Sequence, residues 1–280
     1  MKRTILPVLT LALLSLMVLA PLYLLASGAL MGTQEITAHI GPVLGGAPGL
    51  ATWPLFPKWP TLSPLVQLLL DTPAFFTMFW NACILTFSAV AGQVLISSPA
   101  AWGLARYKFR GKKALYMLYI LLMLMPFQVL MAPSFFVMDW AGLIDTRWAV
   151  ILPSVFSAFP VFILYRFFEG IPEGFVEAAQ LDGAGPVRVF CLIGLPLGMP
   201  GVLSVVVLGF LENWSAIEQP LTFLRDKSLW PLSLMLSSIA AEDAGAAFSA
   251  SLMTMLPALL VFLWGQPYLE DGIRAAGLKE

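Results

Sequence analysis

The chain has 280 residues, of which 59% are hydrophobic and 11% charged, against roughly 45–50% apolar and 25% charged in an ordinary soluble protein. So much apolar surface exceeds what one interior can hide, and with a mean hydropathy of +0.87 the composition is that of a membrane protein. A net charge of −1 leaves no basic excess for nucleic acid. Two cysteines, Cys83 and Cys191, exclude a disulfide framework, and the single histidine, His39, excludes multi-histidine metal centres and most histidine-based catalysis.

A helix that crosses about 30 Å of hydrocarbon needs around 20 mostly apolar residues. Residues 5–30, 74–105, 114–137, 148–168, 195–217 and 248–269 meet that requirement, so the sequence predicts an all-α membrane protein with six transmembrane helices. The first, an N-terminal transmembrane helix within 1–30, follows Lys2 and Arg3 and ends in small residues, as a cleaved signal peptide does. Its apolar run is longer than the usual core of about 7–15 residues, which favours a retained anchor. Residues 31–73 form an external loop segment rich in Gly and Pro, with Trp53 and Trp59 expected at the outer interface, His39 in a solvated loop, and a short interfacial helix near 63–70. Residues 74–280 hold the remaining five spans. Pro99, Pro126, Pro160 and Pro200 read as kinks whose freed carbonyls are taken up by neighbours or cavity water. Gln128, near Pro126, is placed either to loosen the helical ladder there or to serve the freed carbonyl.

Lysine and arginine placement sets the orientation. Eleven of the fifteen (Lys2, Arg3, the Arg106–Lys113 group, Arg166, Arg188, Arg274 and Lys279) fall on one side, and Lys58, Arg147, Arg225 and Lys227 on the other. Both termini are therefore expected in the cytoplasm, and the Arg106–Lys113 group reads first as an orientation signal at lipid headgroups and second as a partner surface.

One segment does not fit a plain bundle. Residues 171–196 fall on the cytoplasmic side, with Pro172 and Glu173 suited to a helix start, Gly183 or Gly185 to a left-handed cap, and Pro186 to a second start. They predict two short helices meeting at a glycine turn. Glu177-Ala178-Ala179, then Gly183 (preceded by Asp182), then Ile193-Gly194-Leu195-Pro196 match E-A-A-x3-G-x9-I-x-L-P at every fixed position.

This segment resembles the loop by which the permease subunits of ATP-binding-cassette (ABC) importers dock onto their ATPase. The chain is similar in particular to carbohydrate permeases of the maltose, MalG-like type. The likeness is carried also by Phe109-Arg110-Gly111-Lys112, Ile171-Pro172, Asp182-Gly183-Ala184, Trp214 followed by Pro220-Leu221, and Gln266, Tyr268, Gly272-Ile273 and Lys279. It departs at Trp214-Ser215, Asn81-Ala82 and Pro267, near the expected translocation path or the ends. The resemblance implies a type I importer permease (MetI-like) fold in the bacterial inner membrane. It implies a second homologous permease subunit, two ABC ATPase subunits and an external solute-binding protein as partners. ATP and magnesium would then be used by the ATPase and no cofactor bound by this chain, which has no G-x4-G-K-[S/T] loop to cradle nucleotide phosphates.

Polar residues inside apolar spans face a partner helix or a cavity. Asn81, Gln93, Glu212 and Asn213 are of this kind, and with Trp214 they are the expected substrate path, although aromatics at such positions more often pack or gate. No catalytic or metal-ligating set is expected; an intramembrane hydrolase would lack its histidine, aspartate pair or H-E-x-x-H. The alternative to an ATP-driven permease is an ion-coupled secondary transporter using Glu212 as its ion site.

Overall fold

The computed structural model describes residues 2–43, 49–54, 56–238 and 243–277, with side chains described over 7–43, 49–54, 56–236 and 243–270. Lys279 lies outside the described residues, and Lys2, Arg3, Ile273 and Arg274 outside those whose side chains are described. Among the described residues the chain is all-helical. In chain order the helices are α1 (Lys2–Ala29), α2 (Thr33–Ile40), α3 (Ser63–Val66), α4 (Pro73–Arg106), α5 (Lys112–Leu124), α6 (Phe127–Trp140), α7 (Arg147–Val155), α8 (Ala158–Gly170), α9 (Glu173–Leu181), α10 (Pro186–Val189), α11 (Leu195–Leu197), α12 (Met199–Trp214), α13 (Glu218–Phe223) and α14 (Ala244–Gly277).

Four helical stretches are long and apolar enough to cross a bilayer alone: Pro7–Ala29, Pro73–Arg106, Arg147–Gly170 and Ala244–Glu270. Six is reached only if two bent pairs each count as one span. The third expected span is not continuous: α5 and α6 meet at 105°. Pro126 clashes with a helical residue before it, so Met125 takes φ −71°, ψ 129° and α5 stops there. In the fourth, the break falls at Phe156–Ser157, and Pro160 becomes the third residue of α8, where an N–H has no helical partner to lose. The fifth turns by 71° between the segment Pro186–Leu197 and α12, and the helix proper covers 199–214 rather than 195–217. α4 follows the expected 74–105 to within a residue at each end.

The chain divides into two units, one of Met1–Met78 and Leu234–Pro257, the other of Phe79–Ser233 and Ala258–Glu280. In the first, the apolar residues of α1 from Val8 to Leu19 stand exposed, as expected of a helix apolar all round and solvated by lipid. The segment after it is more ordered than its composition suggests. Met31 and Ile36 are fully buried, and Trp53 packs edge-on against Phe248 at 5.5 Å while donating to Ser27 Oγ at 3.2 Å. The sequence reading missed α2, which is only eight residues long. His39 lies in it, half-buried, with Nδ1 2.9 Å from Thr52 Oγ1, and so is not a free loop residue. The expected helix near 63–70 is present as α3 and the wider turn Gln67–Asp71 that continues it. Trp59 is 80% exposed.

The second unit contains the loop 171–196. Its core at one end gathers Ala101, Trp102 and Leu104 of α4, Leu164, Tyr165 and Phe168 of α8, and Val202 and Val205 of α12. At the other end Leu85, Val150, Ile151, Phe223 and Leu224 pack together.

Candidate functional site

The loop between α8 and α12 is a helix, a left-handed glycine turn and a second helix. α9 starts after Pro172, with Glu173 in its first turn, where a negative charge complements the helix dipole. It ends at Asp182. Gly183 then takes φ +80°. Its N–H donates to the Gln180 carbonyl at 3.0 Å and the Ala184 N–H to the Ala179 carbonyl at 2.9 Å. These two bonds form the Schellman pair that satisfies carbonyls at a helix end. Gly185, at φ −69°, plays no such part, and Pro186 opens α10.

Ala179, Ile193 and Leu195 are half-buried and face the core beneath the loop, whereas Glu177, Ala178, Asp182, Gly183 and Pro196 are exposed. Ala178, Ala179, Asp182 and Ile193 line a surface depression of ≈ 560 Å³ with Pro172, Gly174 and Phe175. The two alanines, with nothing beyond Cβ, leave the depression open. Glu177 stands outside that lining.

Close packing fixes the loop to the bundle. A Cβ on Gly194 would come within 2.8 Å of the Trp102 ring, and one on Gly198 within 2.3 Å of Phe168. Trp102 meets Phe168 edge-on at 5.4 Å and Phe190 at 5.8 Å. Arg106, the last residue of α4, donates through Nη2 to the carbonyls of Phe168, at 2.7 Å, and of Ile171. Its guanidinium also lies 5.3 Å above the Trp102 ring. A cation capping the final carbonyls of α8 is favoured by both hydrogen bonding and the helix dipole. Sequence reasoning took Arg106 for an orientation charge or part of a partner surface; its place beside Trp102, one turn away on the same helix, was the available signal.

At the opposite end of α4 and α12 the expected path residues are placed as follows. Asn81 is 2% exposed. Its Nδ2 donates to the carbonyls of Ser228 at 2.7 Å and Trp230 at 3.2 Å, and its Oδ1 accepts from Arg147 at 2.9 Å. It joins the start of α4 to the start of α7 and to the loop after α13. Trp214 is also buried, stacked on Phe210 at 5.4 Å and edge-on to Phe79 at 6.0 Å. Asn213 donates to the Gly209 carbonyl of its own helix at 2.8 Å. Glu212 is exposed on the surface of this chain, without a hydrogen-bond or ion-pair partner among the described residues. Gln93, 1% exposed, donates to the Ser154 carbonyl at 2.9 Å. The aromatics thus pack, and only Glu212 of the expected path residues is presented outward.

Asp145 and Asp226 escaped the sequence reading, and Gln128 finds a different partner from the one expected. Asp145, at φ +64°, accepts the backbone N–H groups of Arg225 and Asp226, each at 2.8 Å. Gln128 donates to the Glu218 carboxylate at 2.9 Å rather than to a carbonyl freed by Pro126. Asp226 accepts from Ser228, which holds its carboxyl below the ordinary aspartate range. The Asp145 and Gln128 contacts join segments 80 to 90 residues apart and leave no local pattern, whereas Asp226 accepts from a residue two positions on.

Residues 93–275, a span that includes the whole glycine-turn loop, match the family model described as the binding-protein-dependent transport system inner membrane component. The chain belongs to that family. This permease family member is 28% identical to the arabinooligosaccharides transport system permease protein AraQ of Bacillus subtilis, over 95% of this chain and 92% of that one. It is 35% identical to the diacetylchitobiose uptake system permease protein NgcG of Streptomyces coelicolor, over 66% of this chain and 63% of that one. Among solved structures, a chain of a bacterial ABC transporter involved in the import of the acidic polysaccharide alginate superposes with a TM-score of 0.81 at 20% identity, covering 95% of this chain and 96% of that one. The permease is therefore a multi-pass membrane protein with the fold of an ABC importer subunit.

Proposed function

We propose that the chain forms half of a translocation pathway for a carbohydrate or a related polar solute, together with a second homologous permease subunit. Two ABC ATPase subunits at the cytoplasmic face and an external solute-binding protein complete the assembly. The solute class is supported by the sugars named in the relatives AraQ and NgcG. An ion-coupled mechanism at Glu212 gains no such support.

The observation that carries the reading is the α9–α10 loop: a helix, a glycine turn and a second helix, fastened by Trp102, Arg106 and Phe168 at one end of the bundle. That end, where α4 stops, α5 starts and α8 stops, also bears Arg106, Lys108, Arg110, Lys112, Lys113, Arg166 and Arg188; the other bears Arg147, Arg225 and Lys227. The asymmetry supports six membrane crossings, each bent pair making one, with both termini in the cytoplasm.

In this reading Glu177, Ala178, Ala179, Asp182, Gly183, Ile193, Leu195 and Pro196 are the coupling residues. The ATPase enters the depression over Ala178 and Ala179. ATP and magnesium bind only to the ATPases, and their closure drives the two loops together. Because α9–α10 is locked to the C-terminal ends of α4 and α8, the movement passes to those helices as a rigid displacement. The pathway then opens outward to receive solute from the binding protein, and hydrolysis returns it to the inward state. Glu212 is the polar group best exposed to that pathway, while Asn81, Asn213 and Trp214 hold its walls. The test is a mild-detergent purification of the tagged chain expressed with its neighbouring proteins. Recovery of an ABC ATPase and a second permease supports the reading; a homo-oligomer with no ATPase refutes it.

A further inference from the structure

Beside the coupling loop, α4 and α5 diverge from the turn that joins them, and a groove of ≈ 260 Å³ opens between them. Pro99, Gly103 and Leu104 form one wall, Leu115 and Tyr119 the other, and Phe109 closes the end. At Gly103 an added Cβ would meet nothing within 4 Å, so no close helix contact requires the glycine, and its missing side chain leaves the groove open. Pro99 lies two turns back from Arg106, and Tyr119 two turns on from Lys112. The groove therefore runs about 10 Å from the charged end along the helices. It leads toward Leu95 and Leu118, which are 73% and 49% exposed.

The mouth is cationic. Lys108 and Arg110 flank Phe109 in sequence, and Lys113 is two residues before Leu115; all three are exposed. No ion pair is made by any of them among the described residues. Lys112 differs, since its Nζ donates to the Ala105 carbonyl at 3.2 Å and serves the end of α4.

We propose that this groove binds one anionic phospholipid of the cytoplasmic leaflet, an acyl chain lying between α4 and α5 and the phosphate held by Lys108, Arg110 and Lys113. The inference rests on the orientation given under Proposed function, but not on the solute. An acidic ATPase surface would use the three cations and leave the groove empty; an apolar partner helix would fill the groove and leave the cations unpaired. A phospholipid with a negative head supplies both halves, and charge next to apolar length is what the site offers.

The assembled transporter, purified in mild detergent and stripped of lipid, is incubated with vesicles of phosphatidylcholine alone or of phosphatidylcholine mixed equally with phosphatidylglycerol. Retained lipid is then read by native mass spectrometry. The wild type is expected to retain phosphatidylglycerol in preference, and to lose that preference as salt is raised. K108Q/R110Q/K113Q should lower the preference by about five-fold for each cation removed, without lowering phosphatidylcholine retention. Gly103→Leu, which has room for its side chain, should lower retention of both lipids by filling the groove. No preference in the wild type overturns the site, and so does unchanged phosphatidylglycerol retention in either variant. Loss of the ATPase from the triple variant with lipid retention intact would assign the cations to the ATPase instead. Retention in the expected pattern by a chain that recruits no ATPase would sink the transport reading and leave the lipid site standing.

Discussion

Gly183 separates a conformational requirement from a steric one. Its φ of +80° lies in the left-handed region, yet an added Cβ would find nothing within 4 Å. Replacement by alanine therefore meets no clash, and its cost is that of the left-handed backbone alone, roughly 1–2 kcal/mol. If that cost falls on the docked form of the loop, the population able to engage the ATPase drops by about 5- to 30-fold. Asparagine enters the left-handed region more readily and occurs at such caps, so Gly183→Asn should recover most of the loss despite its larger side chain. The assay is solute-stimulated ATP hydrolysis by the transporter in vesicles, together with the amount of ATPase that co-purifies with each variant. Hydrogen exchange across 173–189 reports on the turn directly: exchange at Gly183 and Ala184 should rise in the alanine variant and return toward wild type in the asparagine variant. Equal activity in all three proteins would refute the coupling role. Asparagine as damaging as alanine, or worse, would refute the backbone argument, because bulk would then be what matters.

Arg106→Gln removes the cation from the last carbonyls of α8 and should weaken the anchorage of the loop by about 2 kcal/mol or more, seen as faster proteolysis within 171–186 in an otherwise folded complex. Loss of stability throughout the bundle, with no local effect, would contradict that assignment. Asn81→Ala strips partners from Arg147 and two carbonyls and should lower the thermal stability of the complex by roughly 2–4 kcal/mol. It should leave the KM for solute unchanged, and a shifted KM at unchanged stability would put Asn81 on the pathway surface. Glu177→Lys should uncouple uptake from ATP hydrolysis at normal membrane abundance, and undiminished uptake would remove Glu177 from the coupling set. Glu212→Gln should change solute KM more than assembly; loss of only the partner permease would make Glu212 an interface residue.

Local chemistry was legible in the sequence wherever a few neighbouring residues decide the outcome. Apolar length marked α1, α4 and α14, and the spacing from Glu177 to Pro196 marked a helix, a glycine turn and a second helix. Glycine is needed at 183 because the backbone there is left-handed, a property of the turn itself. Tertiary structure decided the rest. Pro126 and Pro160 both read as kinks; at Pro126 the chain turned fully between two short helices, and at Pro160 the break moved upstream so that the proline entered a first turn. Composition cannot distinguish those results, because the freed backbone groups are satisfied by whatever packs around them. By sequence alone Asn81 and Gln128 are polar residues in apolar stretches, and Arg106 is the first charge of a basic group. Their partners are Ser228, Trp230 and Arg147, then Glu218, and then the carbonyls of Phe168 and Ile171, from 62 to 149 residues away. A polar side chain buried in an apolar bundle, as Asn81 is, must find a partner; which one it finds is set only when the helices come together.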